Sequence, residues 1–239
     1  MTTKSHHPLN AAGEQRAFFG RRSGKRLHGG QQALVEQLLP RLEIGFADET
    51  ARLAPVVPFA VPGAPLQLEI GYGGGEHLAR LALENPTINF IGAEVFSGGI
   101  GKLLQKIDDN GIQNIRLFTF DALNLLRDLP DASLETVYLL YPDPWPKTRH
   151  HKRRFVSPVT LAELARVLKP GGSFRFATDI EDYANWTLAH ILRAPAFSFA
   201  PEHPGAWHEP WPGWQPTRYE QKARLEGRMR SFYFTFPRN

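Results

Sequence analysis

Three acids stand where short apolar runs end: Glu69 in LQLEI, Glu94 closing NFIGAE, and Asp121 directly after IRLFTF. The first leads into Gly71-Tyr72-Gly73-Gly74-Gly75-Glu76. Glycines in such a turn let the backbone take positive φ and approach a ligand closely. The dinucleotide fingerprint needs a third glycine three places after Gly73, where Glu76 stands, and no Lys-Ser/Thr pair serves a nucleotide phosphate. A carboxylate beside a phosphate is repelled, whereas one beside a cation is attracted. The pattern acid-x-Gly-x-Gly-x-Gly therefore suits a cationic ligand without phosphate.

S-adenosylmethionine has those properties: a sulfonium, an amino group, a ribose and no phosphate. On this reading Glu69, Gly71, Gly73 and Gly75 form the cofactor turn. Glu94 accepts the ribose hydroxyls, as an acid does at the second strand of nucleotide-binding sheets, and Asp121 lies near the adenine amino group. Acids that merely cap the following helices are the plain alternative. Three of them at three successive strand ends favour the ligand.

The densest segment is YPDPWPKTRHHKRRF. Its three closely spaced prolines stiffen the loop, so Asp143, Trp145 and Lys147 lose little entropy on binding. Asp143 falls nearest the sulfonium methyl, where a carboxylate can accept from the ring N–H and exocyclic amine of a guanine. Lys147, Arg149, Lys152, Arg153 and Arg154 follow, with no acid between Asp143 and Glu163. A second basic stretch lies in residues 1–30, where six Lys/Arg face one acid, Glu14, so the whole chain's net +4 comes from this end. Two basic patches on an otherwise balanced chain point to a polyanion.

These residues need a frame. Apolar strands are expected at 66–70, 89–94, 115–120, 136–141 and 173–178. Helical patterns fall at 31–44 (interrupted by Pro40), 76–84, 98–110 ended by Gly111, 159–168 ended by Lys169-Pro170-Gly171-Gly172, and 180–192. APVVPFAVPGAP (54–65) reads as a linker. FSFA (197–200) and a Trp/Pro-rich loop precede a last strand at 229–236, in which Phe232, Phe234 and Phe236 alternate. Alternating strands and helices mean an α/β, Rossmann-like, doubly wound and mostly parallel sheet, with the C-terminal strand antiparallel at its edge. Residues 1–30 read as a basic, flexible arm and 31–239 as one domain. Hydrophobic residues at 42% fit a folded globular chain. The absence of cysteine excludes disulfides and thiolate chemistry and favours the cytoplasm. No apolar run is long enough for a membrane span, and the N-terminus has no apolar signal core.

From about residue 16 onward the chain resembles the bacterial tRNA (guanine-N7-)-methyltransferases. The likeness runs through FFGRRSGKRLHGGQQAL, LEIGYGGGEH, GAEVFSGGIGKLL, YPDPWPKTRHHKRRF, LKPGGSFRFATDIEDYANW and TRYEQKARLEGR. The proline-rich basic segment is its specific part. The resemblance implies a class I methyltransferase domain with a seven-stranded sheet. It implies methyl transfer from S-adenosylmethionine to guanine N7 at tRNA position 46. By this likeness Glu69, Glu94 and Asp121 hold the cofactor, and Asp143 serves cofactor contact and catalysis. Lys147, Asp179, Thr217, Arg218, Tyr219 and Glu220 bind substrate, while Arg149, His150, His151, Lys152, Arg153 and Arg154 touch RNA.

Guanine N7 carries its own lone pair, so no proton need leave before attack, and no His or Cys nucleophile is required. His6-His7 and His150-His151 lack a carboxylate or cysteine at ligand spacing, so no metal is expected. The expected partner is tRNA, with no membrane and no obligate protein partner, the chain being a monomer or homodimer. Three readings compete. A methyltransferase for a small molecule or protein leaves the cation runs unexplained. An RNA-binding protein with a vestigial fold leaves the intact acids unexplained. A dehydrogenase conflicts with the glycine pattern.

Overall fold

The computed structural model describes residues 17–24, 26–44, 59, 61–228 and 230–239. The first sixteen residues of the arm, with Lys4, Glu14, Arg16 and the His6-His7 pair, lie outside them, as does half of the 54–65 linker. The elements in chain order are α1 (Gly29–Gln37), α2 (Leu39–Leu42), β1 (Leu66–Ile70), α3 (Glu76–Glu84), β2 (Asn89–Ala93), α4 (Ser97–Asn110), β3 (Ile115–Phe118), α5 (Ala122–Asp128), β4 (Leu134–Leu140), α6 (Pro158–Val167), β5 (Leu168–Thr178), α7 (Glu181–Ile191), α8 (Arg218–Leu225) and β6 (Phe232–Pro237). Short 3-10 turns at Thr148–Arg153 and Ala206–His208 complete the set.

Among the described residues one sheet of six strands runs β3-β2-β1-β4-β5-β6. All neighbours are parallel except β5 and β6, which pair antiparallel with Phe174 opposite Phe236. Strand order reverses between β1, which pairs Gln67 with Phe90 of β2, and β4, which pairs Thr136 with Gln67 from the other side. Ligands of open α/β sheets bind beyond the strand carboxyl ends at such a reversal.

The pleat sends alternate residues to opposite faces. Leu68, Ile70, Ile91, Val137, Phe174, Phe176, Phe234 and Phe236 meet Leu125, Leu164 and Tyr183 of α5, α6 and α7 on one side. Phe90 and Leu117 face the other, against Leu78, Leu103, Leu104 and Ile107 of α3 and α4. Beyond α3, that second face is closed by Trp211 and Trp214 over Tyr138, Leu140 and Tyr233. β6 is thus covered on both faces at Tyr233, where the sequence pattern implied one buried face.

Local chemistry sets the element ends. Gly111, at φ 61°, closes α4 as expected. Ser157 and Thr160 cap α6 reciprocally, with Pro158 at its start. The 31–44 pattern becomes two helices, α1 and α2, with Pro40 in the first turn of the second. Lys169–Gly172 ends α6 as a breaker but bulges within β5, between the Leu134–Leu168 and Thr136–Ser173 pairs.

Among the described residues the sheet has six strands where seven were expected. The 197–200 segment contributes only an isolated bridge, Phe197 with Arg238. Ser198 N–H donates to the Pro237 carbonyl at 3.0 Å, and the Phe199 ring lies 5.6 Å from the Phe234 and Phe236 rings.

Gly92, in β2, underlies the glycine turn. A Cβ there would stand 2.6 Å from Leu78 Cδ2 and 2.8 Å from the Tyr72 ring. Replacement Gly92→Val is expected to destabilise the fold by about 1–3 kcal/mol through overpacking, read as a lower midpoint in urea unfolding.

Candidate active site

The turn after β1 carries left-handed backbone at Gly71, Gly73 and Gly75, with φ of 70°, 55° and 73°. Side chains resist that region, so the three glycines let the turn fold tightly. Its close neighbour Gly99 in α4 is equally constrained, because a Cβ there would lie 2.3 Å from the Gly73 carbonyl oxygen.

Glu94, one residue past β2, holds this turn from the side. Its Oε2 accepts from Gly73 N–H at 2.9 Å, and Oε1 accepts from Val95 at 2.9 Å and Phe96 at 3.0 Å. Burial raises the Glu94 carboxyl above its usual range. The three N–H donors pull it back down, and the Asp143 charge adds to the rise.

Asp121 caps α5 by accepting from Leu123 N–H at 3.0 Å. Its other oxygen accepts from Ala17 and Phe18 N–H at 2.9 Å each. The described part of the arm is therefore pinned to the end of β3. It continues past α4, where Ser97 N–H donates to the Arg22 carbonyl.

Asp143 follows β4 in a loop bracketed by Tyr141 (φ 49°) and Trp145 (φ 45°). Left-handed backbone at bulky residues is costly and persists only where the surroundings enforce it. Among the described residues the Asp143 carboxylate makes no hydrogen bond or ion pair. It is open to solvent on one side, yet desolvation by its neighbours raises its carboxyl above the usual range. Gly71 of the turn, Glu94, Asp121, Tyr141, Asp143 and Trp145 all border one cavity of about 390 Å³, within the roughly 300–1,000 Å³ typical of small-ligand pockets; Gly73 and Gly75 do not line it.

Two residues expected at the site are buried with side-chain partners of their own. Glu69 is buried and pairs with His77 Nδ1 of α3 at 2.8 Å, outside the cavity lining. The His77 ring rests 5.1 Å from Tyr138 and 5.5 Å from Trp214. Sequence reasoning missed this histidine, although Glu69 and His77 flank the turn in LEIGYGGGEH. Glu220 is also buried, accepting from Trp214 Nε1 at 3.0 Å and the Tyr233 hydroxyl at 2.7 Å, with Arg224 as a third partner. Its carboxylate secures the Trp loop.

The other expected substrate residues form a row leading from the cavity. Tyr141 packs 5.2 Å from the exposed Tyr219 ring, and Arg228 lies 5.7 Å over Tyr219 while pairing with Asp179 at 2.9 Å. Thr217 caps α8 by accepting from Glu220 N–H at 3.1 Å, and Arg218 is exposed beside it. Arg228 was not anticipated.

The basic run divides by exposure. Lys147, Arg149 and Lys152 are exposed, on or beside the 3-10 turn. His150 packs edge-on to Trp145 at 5.9 Å, and Arg153 lies 4.9 Å over Trp145 and 6.0 Å from the arm's Phe19. His151 Nε2 is 3.5 Å from Asp182. Arg154 differs from the other five residues expected to touch RNA in that its side chain has no exposed surface. Among the described residues no cluster of three or more His, Cys, Asp or Glu could hold a metal ion, and no helix is long and apolar enough to cross a membrane.

Residues 63–231 match the model of the family described as "Putative methyltransferase". The chain is 49% identical over 236 residues to the tRNA (guanine-N(7)-)-methyltransferase of Brucella anthropi, covering 99% of each. It is 46% identical over 242 residues to the enzyme of that name from Nitrobacter hamburgensis, covering 98% of this chain and 94% of the relative. A solved antibiotic-related methyltransferase shares the fold at 15% identity and TM-score 0.52, over 90% of this chain and 97% of its own. With its acid-lined cavity at the sheet's reversal point, the chain belongs to the tRNA (guanine-N(7)-)-methyltransferase family.

Proposed function

We propose that this chain transfers a methyl group from S-adenosylmethionine to N7 of a guanine in tRNA, forming 7-methylguanosine, with position 46 in the variable loop as the target. The carrying observation is an Asp143 carboxylate without a partner among the described residues, at the rim of a cavity walled by Glu94, Asp121 and Gly71.

The cavity suits the cofactor. Its wall carries the carboxylates Glu94, Asp121 and Asp143, and they favour a cationic ligand. A carboxylate offers about four acceptor positions, and Glu94 uses three on backbone donors. Capacity remains there for a ribose hydroxyl. Glu69 acts from behind, keeping the turn in place through His77. When bound, S-adenosylmethionine supplies a methyl group on a positively charged sulfur.

The protein's own part is positioning. Guanine N7 needs no general base, so catalysis comes from alignment and exclusion of water. Asp143 accepts from the N–H edge of the base. Its negative charge also opposes the positive charge that the base acquires on methylation. The Tyr141–Tyr219 pair and Trp145 offer aromatic faces for neighbouring bases. Arg21, Arg22 and Arg26 of the arm and Lys147, Arg149 and Lys152 of the basic run, all exposed, engage phosphates. The basic arm of residues 1–30 acts with the domain of 31–239 in holding RNA. A tRNA substrate and the lack of cysteine support a cytoplasmic location for this activity.

Replacement Asp143→Ala is expected to abolish methyl transfer while S-adenosylmethionine and tRNA still bind, checked by single-turnover rate and titration of each ligand. Full retained activity contradicts the assignment. Asp143 must be ionised to act, and its raised carboxyl takes up a proton at higher pH than a free aspartate, near 3.9. The rate therefore declines on acidification with a midpoint above that value, and Asp143→Asn removes this limb. Replacement Glu94→Gln weakens S-adenosylmethionine binding in calorimetry while leaving tRNA affinity unchanged. Arg149→Ala and Lys152→Ala each weaken tRNA binding and reduce the slope of log affinity against log salt by about one, as charge neutralisation at phosphates requires.

A further inference from the structure

Arg154 is a cation with no exposed surface, yet it lies in the run whose exposed members face solvent. Its surroundings account for the charge. Nε donates to the Pro144 carbonyl at 2.9 Å, and Nη2 pairs with the Asp182 carboxylate. The guanidinium lies 4.9 Å over the Tyr183 ring and 5.2 Å over the Trp186 ring. A buried cation is tolerated when a counter-charge, a carbonyl and aromatic faces together replace its water. Hydrogen bonding to Arg154 holds the Asp182 carboxyl below its usual range.

The carbonyl it grips belongs to the Pro144–Trp145 peptide, one residue beyond Asp143. Pro144 lies between Asp143 and the left-handed Trp145, in a loop whose backbone is strained at both ends. The chain on the far side is fastened to the same helix. Phe155 N–H donates to the Tyr183 hydroxyl at 3.1 Å, and Trp186 Nε1 donates to the Val156 carbonyl at 2.8 Å. Helix α7 is itself packed in the core through Tyr183, Ala184 and Ile191. A rigid element thus reaches the catalytic loop through one side chain.

We infer that Arg154 and Asp182 form a positioning pair that fixes the Pro144 peptide and so aims the Asp143 carboxylate into the cavity. The inference rests on the reading of Asp143 given above. Arg154 does not touch substrate; it acts through Asp143. Lysine cannot substitute for it, because a single ammonium lacks the planar fork that reaches carbonyl and carboxylate together.

The test measures Arg154→Met, Arg154→Lys, Asp182→Asn and Asp143→Ala in the full-length protein. The readouts are single-turnover methyl transfer at saturating S-adenosylmethionine and tRNA, both dissociation constants, the salt slope and the unfolding midpoint. Arg154→Met is expected to slow the methyl-transfer step by about 10–100-fold, the effect of an ångström-scale misplacement, with both dissociation constants and the salt slope as in the wild type. Arg154→Lys recovers the unfolding midpoint but not the rate. Asp182→Asn, a change at a solvent-facing carboxylate, slows the step less and in the same sense, and carries the test if the Arg154 variants fail to fold. A wild-type rate in Arg154→Met or, failing that variant, in Asp182→Asn overturns the inference. So does a loss expressed as weaker tRNA binding with a flatter salt slope, or an Arg154→Lys rate that recovers in step with the midpoint. If Asp143→Ala stays active, the reading of Asp143 fails first. If Asp143→Ala is inactive and Arg154→Met is not slowed, only the positioning role fails.

Discussion

The Glu94 carboxylate gathers three backbone N–H groups from two separate loops, and the cavity wall is built around it. Gly73 comes from the turn after β1, and Val95 and Phe96 come from the junction of β2 and α4. Hydrogen bonds to a charged acceptor contribute about 1.5–3 kcal/mol each, enough to hold a turn made almost wholly of glycine in one conformation. The same contact requires Gly99 to lack a side chain, since the Gly73 carbonyl occupies that space. Sheet register delivers Glu94 to this place, because Ile70 at the end of β1 pairs with Ala93, immediately before it.

A second constraint acts on the opposite side of the cavity. The loop after β4 carries left-handed backbone at Tyr141 and Trp145, and aromatic contacts keep it there. Tyr141 leans on Tyr219, and its hydroxyl donates to Ser231 Oγ at 3.2 Å. Trp145 lies beneath Arg153. These contacts draw α8 and the start of β6 to the rim, so the C-terminal antiparallel strand serves the site as well as the sheet edge. The buried Glu220 does the same from below by joining Trp214, Tyr233 and Arg224. Residues that read as substrate contacts in TRYE thus divide into an exposed aromatic, Tyr219, and an internal anchor, Glu220.

Much of this was legible in the sequence because it is local. Short apolar strands, glycine stops and the alternating phenylalanines of β6 each follow from spacing within one element. Glu94, Asp121 and Asp143 were found because strand ends in a doubly wound sheet fall on one edge. What escaped depends on partners brought together by folding. A carboxylate at position 69 or 220 reads alike whether it faces a ligand or a neutralising side chain, and only the fold places His77 or Tyr233 beside it. Arg154 is indistinguishable by type from Arg149 and Arg153, yet a 3-10 turn and α7 send it inward. The arm's hold on Asp121 spans more than a hundred residues through backbone N–H groups, which have no signature in residue type. FSFA has strand composition, yet among the described residues it forms an isolated bridge, Phe197 with Arg238, rather than a strand.

The most direct measurement is methyl transfer from labelled S-adenosylmethionine to unmodified total tRNA, followed by nucleoside analysis. Label recovered as 7-methylguanosine, mapped to position 46, is the expected result. Label in another nucleoside, or no transfer by a protein that binds both S-adenosylmethionine and tRNA, contradicts the reading of Asp143 and its cavity as a guanine-N7 site.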